Sequence, residues 1–143
     1  SFEKMMKVFS ADGRIYQMEY AFKAISMFGM TGIAVKGVDS VVVCSQKKVP
    51  DKLIVPSSVT NIFNVSDTTG VILVGNLNDG KFIVQWLRNK AAEFKFKNSY
   101  EVPIHVLATN LGNYLQNFSQ YAGLRPFCVN TVIVGVDEEF GPQ

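Results

Sequence analysis

Apolar residues at Ile15, Met18, Phe22 and Ile25 recur at helical spacing, with Glu19, Lys23 and Ser26 on the other faces. The pattern predicts a short amphipathic helix that follows the turn cluster Phe9-Ser-Ala-Asp-Gly13 and ends near Gly29. The period then drops to two. Thr31 to Lys36 and Val41 to Ser45 flank Gly37-Val-Asp-Ser40, and Ile62 to Val65 and Val71 to Val74 flank Ser66-Asp-Thr-Thr-Gly70. Each pair reads as a β-hairpin. The segment 47–60 between them carries Pro50 and Pro56, which suits an irregular or edge-like stretch.

Helical spacing returns with Phe82, Ile83, Trp86, Ala91 and Phe94, capped at Asn78 or Asp79, with Lys81, Arg88, Lys90 and Lys95 outward. A further helix opens at Pro103, where a missing N–H does no harm. It runs through Ile104, Leu107, Leu111, Leu115, Phe118 and Ala122 to a stop at Gly123. The continuous apolar run from Phe127 to Val136 reads as a strand covered on both faces. The order is helix, two hairpins, two helices, strand: an α+β layered domain on antiparallel sheet, spanning 1–143 as a single unit. The last strand lacks a hairpin partner, so a longer parent sequence is expected.

Composition narrows the function. With 14 basic and 12 acidic residues the net charge is +2, which gives little electrostatic hold on nucleic acid or an anionic membrane. No apolar run reaches the 18 residues of a membrane-spanning helix, and Ser1 to Lys7 lead into no signal-peptide stretch. Charged residues make up only 18%, against about 25% in an ordinary domain, which favours an exterior partly covered by partners. Cys44 and Cys128 lie inside apolar runs and read as buried free thiols.

Candidate chemistry is sparse. The one histidine, His105, sits at a helix start with no nucleophile elbow in the chain. One histidine and two distant cysteines do not compose a zinc site, and no cofactor or metal is expected. Glu138 and Glu139 point to opposite faces if extended. Gly75-Asn-Leu-Asn-Asp-Gly80 lacks the Lys-Ser/Thr of a phosphate cradle and reads as a strand end plus helix cap. The basic run Arg88, Lys90, Lys95, Lys97, interleaved with Phe94 and Phe96, is a minor candidate for nucleic acid; its aromatics suit a buried stripe better.

Phe9-Ser-Ala-Asp-Gly-Arg-Ile-Tyr-Gln-Met-Glu-Tyr-Ala21 resembles the N-terminal signature of proteasome α-type subunits. In order along the chain, Gln46-Lys-Lys-Val-Pro-Asp-Lys-Leu53, Tyr100-Glu-Val-Pro-Ile104, Gln120-Tyr-Ala-Gly-Leu-Arg-Pro126 and Gly135-Val-Asp-Glu-Glu-Phe-Gly-Pro142 are also similar to that family. The first and last of these four segments are most similar to its type-6 class. The resemblance implies an N-terminal-nucleophile-hydrolase-like fold, an antiparallel two-sheet sandwich between helix layers, of which this chain is the N-terminal part. It further implies a non-catalytic structural and gating subunit of an outer α ring in the cytoplasm and nucleus, serving ubiquitin-dependent degradation. Expected partners are neighbouring α subunits, β-ring subunits and the C-terminal tails of regulatory particles, with neither nucleic acid nor membrane among them.

Catalytic relatives of that fold expose an N-terminal threonine whose own amine is the base, with an Asp and a Lys nearby. Here the matching strand start is Met30-Thr31 behind a thirty-residue extension, Gln46 stands at the Asp position and Asn61 near the Lys position. The alternative, a threonine hydrolase cut before Thr31, lacks all three parts. Residues 1–13 match the gate-forming extension. Its family cluster of Tyr, Asp, Pro and Tyr corresponds to Phe2, Glu3, Ala11 and Tyr20, with Lys4 beside them. Phe2 lacks a hydroxyl and Ala11 lacks the ring that pre-sets φ. A regulator-tail pocket is implied at Asn61, where the family lysine is absent, with Gly13, Arg14 and Glu19 matching the opposite wall. Arg125-Pro126-Phe127 reads either as an ordinary turn or as support for the gate loop.

Overall fold

The computed structural model describes residues 8–121 and 123–143. Helix α1 (Tyr16–Met27) leads into the hairpin β1 (Gly32–Lys36) and β2 (Val41–Ser45). After a short 3-10 turn at Pro56–Ser58 come β3 (Ile62–Asn64) and β4 (Thr69–Gly75), then helices α2 (Leu77–Asn98) and α3 (Ile104–Gln120). Strands β5 (Val129–Asp137) and β6 (Gly141–Pro142) close the order. All pairings are antiparallel: β1 with β2 in one sheet, and β3-β4-β5-β6 in the other.

Alternation along the larger sheet explains the layering. Val71 and Leu73 of β4 and Val129 of β5 point to one side and join Ile83, Val84, Leu87 and Ala91 of α2 with Leu107 and Leu111 of α3 in a single core. Ile72, between them, points the other way, and a Cβ on Gly32 of β1 would lie 2.9 Å from its Cδ1. Only a glycine lets the small sheet approach that closely. Helix α1 buries Ala21 and Ile25 and packs on β4.

Several expectations need correction. Phe22 is 58% exposed, because the buried stripe of α1 runs through Ala21 and Ile25. The cap of α2 is Asn76, whose Oδ1 accepts the Asn78 N–H at 3.0 Å; neither Asn78 nor Asp79 fills that role. Gly75, at φ +128°, turns β4 so sharply that the helix starts earlier than the apolar pattern suggests. Phe82 and Phe96 are exposed, the latter at 90%, while Val84 and Leu87 take the core positions. Helix α3 leaves helical geometry at Tyr121, ahead of the Gly123 stop; Ala122 lies outside the described residues.

Strand β5 is covered on one face only: Val132 and Val136 remain exposed in this chain. It does have a hairpin partner, β6, which pairs Val136 with Pro142. Glu138 and Glu139 fall in the turn between them, outside any extended strand, and the Asp137 carboxylate accepts the Glu139 and Phe140 N–H groups. Neither cysteine is a buried core thiol: Cys44 is exposed and Cys128 half-buried.

Candidate functional site

The segment ahead of α1 is a closed turn. Ser10 N–H donates to the Arg14 carbonyl at 2.8 Å, Gly13 N–H to the Ser10 carbonyl at 2.9 Å, and Arg14 N–H to Ser10 Oγ at 3.1 Å. Gly13 makes the return possible at φ +73°, and Ser10 is buried in the middle. Ala11 projects from this turn and is exposed. Phe2, Glu3 and Lys4, the other candidate gate positions, lie outside the described residues.

On α1, Glu19 pairs with Arg14 at 3.5 Å, both side chains well exposed, so the pair adds on the order of 0.5 kcal/mol. Tyr20 is not core: it is 43% exposed and stacks on Tyr16 with ring centroids 6.4 Å apart. Glu19 and Tyr20 therefore stand at the surface of the first helix, with Arg14 exposed in the turn just ahead of it.

Asn61 lies elsewhere and is buried. Its backbone carbonyl accepts the Leu73 N–H at 2.8 Å, and its Nδ2 points to the Met30 sulfur at 3.4 Å. Beside it opens a cavity of about 240 Å³ whose polar lining is Ser45, Gln46, Lys47, Ser57, Thr60 and Asn61. Gly13, Arg14 and Glu19 do not line it. One chain therefore keeps the two proposed pocket walls apart.

The positions that the sequence reading matched to a catalytic threonine site are Thr31, Gln46 and Asn61. Thr31 follows Met30 in unbroken backbone, and its carbonyl accepts the Gln46 N–H at 2.9 Å. Lys48, the lysine that reaches this segment, donates to the Gly29 carbonyl at 2.7 Å. Among the described residues no group of His, Cys, Asp and Glu is placed to hold a metal, and no helix is long and apolar enough to cross a membrane. His105 stands at the surface, edge-on to Phe140 with centroids 5.6 Å apart.

The basic run on α2 is engaged within the chain. Lys90 and Lys97 flank Glu93 at 2.8 and 2.7 Å, and hydrogen bonding to Lys90, then Lys97, holds its carboxyl down to about 2. Lys95 pairs with Glu101 and, at 3.8 Å, with Asp67. Arg88 donates from Nε to the Asn64 carbonyl at 2.9 Å.

One cluster escaped the sequence reading. Arg125 grips Asp79 with both ends of its guanidinium, Nη1 to Oδ2 at 2.7 Å and Nη2 to Oδ1 at 2.6 Å. The same Asp79 carboxylate accepts the Cys128 N–H at 3.0 Å. The side chain of Asp79 is 6% exposed; the Arg125 hydrogen bonds, outweighing burial, lower its pKa. Asp79 reads locally as a first-turn helix acid, and its partner is 46 positions away, so no spacing rule could have joined them.

The fold this geometry defines, antiparallel sheet layered with helices and entered through a signature turn and helix, is that of the N-terminal-nucleophile-hydrolase-like proteasome subunits. The family pattern described as "Proteasome subunit" matches residues 27–143, and the one describing the N-terminal signature of α-type proteasome subunits matches residues 7–24. The chain belongs to the proteasome subunit family, on its α-type side. It is 43% identical over 142 residues to a Schizosaccharomyces pombe protein named as a probable alpha type-1 proteasome subunit, covering 99% of this chain and 58% of that one. A Caenorhabditis elegans protein named as an alpha type-6 proteasome subunit is 38% identical with the same coverage. A proteasome alpha subunit from Saccharolobus solfataricus is 32% identical over 96% of this chain and 56% of its own length. The chain thus spans a little over half the length of these relatives.

Proposed function

We propose that the protein is a non-catalytic structural and gating subunit of the outer α ring of a proteasome core particle, acting in ubiquitin-dependent protein degradation in cytoplasm and nucleus. Its partners on this reading are neighbouring α subunits, the β ring and regulatory-particle tails. The observation that carries the non-catalytic part is α1 itself. Ala21 and Ile25 are buried in the fold, so a cut before Thr31 would strip away a packed helix to free one amine. A threonine nucleophile of this type needs that amine as its base. Native mass spectrometry of the endogenous protein, with sequencing of its N-terminus, tests the reading. A large multi-subunit assembly containing the uncut N-terminal segment is expected; a mature chain beginning at Thr31 would overturn it.

Two finer parts rest on single residues. Ala11 projects from the signature turn without a fixed φ, and Phe2 carries no hydroxyl, so this subunit contributes less to an open-gate cluster than one with Pro and Tyr there. Introducing Ala11→Pro with Phe2→Tyr should raise activator-stimulated peptide hydrolysis; an unchanged rate refutes this. At the Asn61 cavity a tail carboxylate would find an amide in place of an ammonium, which forfeits about 1 kcal/mol. Gly13, Arg14 and Glu19, on a different part of the surface, serve a neighbour's pocket. Strong cross-linking of a regulator tail beside Asn61 would contradict this assignment.

A further inference from the structure

We infer that the end of the sheet beside the start of α3 carries a docking slot for an arginine side chain of a partner polypeptide, a site that does not depend on the ring role proposed above. The slot is a cavity of about 210 Å³ between the loop that joins α2 to α3 and the turn that joins β5 to β6. That is below the roughly 300 Å³ of a pocket for a drug-sized molecule and suits one long side chain. Its walls are apolar: Val102, Ile104 and Val136 line it, together with the half-exposed Tyr100.

The charged lining has one sign. Glu101, Asp137, Glu138 and Glu139 bring four of the chain's 12 acidic residues to this cavity, although the chain as a whole is +2. The cations that face them do not balance the charge. Lys95 takes Glu101 Oε1 and also reaches Asp67, while His105 acts on Asp137. Glu138 and Glu139 stand exposed in the turn. Acidic residues alone would not define a guest, but two orphaned oxygens lie in the same surface. Glu101 Oε2 and Thr69 Oγ1 are buried without a hydrogen-bond partner. Such atoms are uncommon in folded proteins and call for a donor. Thr69, only 3% exposed, lines a groove of about 650 Å³ that shares Thr68 and Val136 with the slot, so slot and groove are continuous.

A metal ion does not answer this arrangement, because among the described residues no three such ligands converge on one point. A guanidinium does. Its planar fork spreads five N–H donors over several carboxylates, it stacks on an aromatic ring, and its methylene stem covers apolar walls. A lysine would bring only a point charge. Arg88 lines the adjoining groove, so the partner chain beside its arginine carries no second cation there. Val41 and Val134 give that chain an apolar bed.

The test uses the full-length protein in the assembly it forms in the cell. The probe is a short peptide, blocked at both ends, with one arginine beside a diazirine photoleucine. Light should attach it within residues 100–104 and 136–139. Replacing its arginine by citrulline, which keeps the shape without the charge, should cut labelling about tenfold. Glu138→Gln with Glu139→Gln, at exposed positions of the turn, should cut it about fivefold. Lys81→Gln, at the far end of α2, should leave it unchanged. The citrulline comparison needs no variant and decides the matter even if the double substitution impairs assembly. Equal labelling by the arginine and citrulline peptides, or labelling confined to other residues, would overturn the slot. A lysine peptide that labels as well as the arginine one would overturn the choice of arginine. Protection by spermidine or magnesium ions where arginine amide gives none would assign the acids to a free cation instead.

Discussion

At the scale of single residues, Asp79 shows how one side chain can serve two elements. Its two oxygens accept two guanidinium bonds and one backbone N–H, so truncating it would leave the Cys128 N–H without its partner in a half-buried site. Asp79→Ala should cost about 2 kcal/mol, read as a shift in the urea midpoint at neutral pH. The pH dependence has a definite sign. The native carboxyl is held below its ordinary 3.8, chiefly by Arg125, so its stabilisation is complete well above 3.8. It is lost as pH falls through 3.8 toward the lowered native value. The gap between wild type and Asp79→Asn should therefore be constant from neutral pH to about 5 and close in stronger acid. A gap that widens on acidification would show that the carboxylate is not the stabilising form.

Elements were more legible than their faces. Period-two and helical patterns located both hairpins and all three helices, because each pattern is set by local geometry. What they missed was decided by chain reversal or by distant partners. Gly75 moved the α2 cap forward to Asn76. Of the stripe Phe82, Ile83, Trp86, Ala91 and Phe94, Ile83 and Ala91 lie in the core and Trp86 and Phe94 pack against it, while Phe82 is exposed and Val84 and Leu87, buried against β4 and α3, were missed. Phe96 looked like core by residue type and is almost fully exposed. The signature turn and Asn61 could be located in sequence, whereas Asp79–Arg125 could not, since it joins a helix start to a loop after the next helix. This difference has a measurable form. Leu87→Ala removes a fully buried side chain and should destabilise by about 3 kcal/mol. Phe96→Ser should stay within about 0.5 kcal/mol, as expected at an open surface. Equal effects in thermal unfolding would mean that the stripe had been placed on the wrong side of α2.

Across the whole molecule, charge and apolar surface divide the work of association unequally. The basic face of α2 looks ready for phosphates, yet Lys90 and Lys97 hold Glu93, Lys95 holds Glu101 and Asp67, and Arg88 reaches back to Asn64. A nucleic acid would have to displace those partners before releasing any counterions of its own. Meanwhile Ile33, Val35 and Val42 of the small sheet and Val132 and Val136 of β5 stand exposed, as surfaces that gain from being covered. Contacts made there depend on removing apolar area from water, which added salt does not weaken. On the ring-subunit reading proposed above, the assembled protein should accordingly remain in its complex when salt rises from roughly 0.05 to 0.5 M, a range in which the screening length shortens severalfold. Over the same range, binding to a single-stranded oligonucleotide should be weak, with a logarithmic salt slope no steeper than about −2. A slope near about −6 with an intact complex would assign the α2 cations to phosphate after all. Dissociation of the complex with a shallow slope would mean that ion pairs, not these apolar faces, hold it to its neighbours.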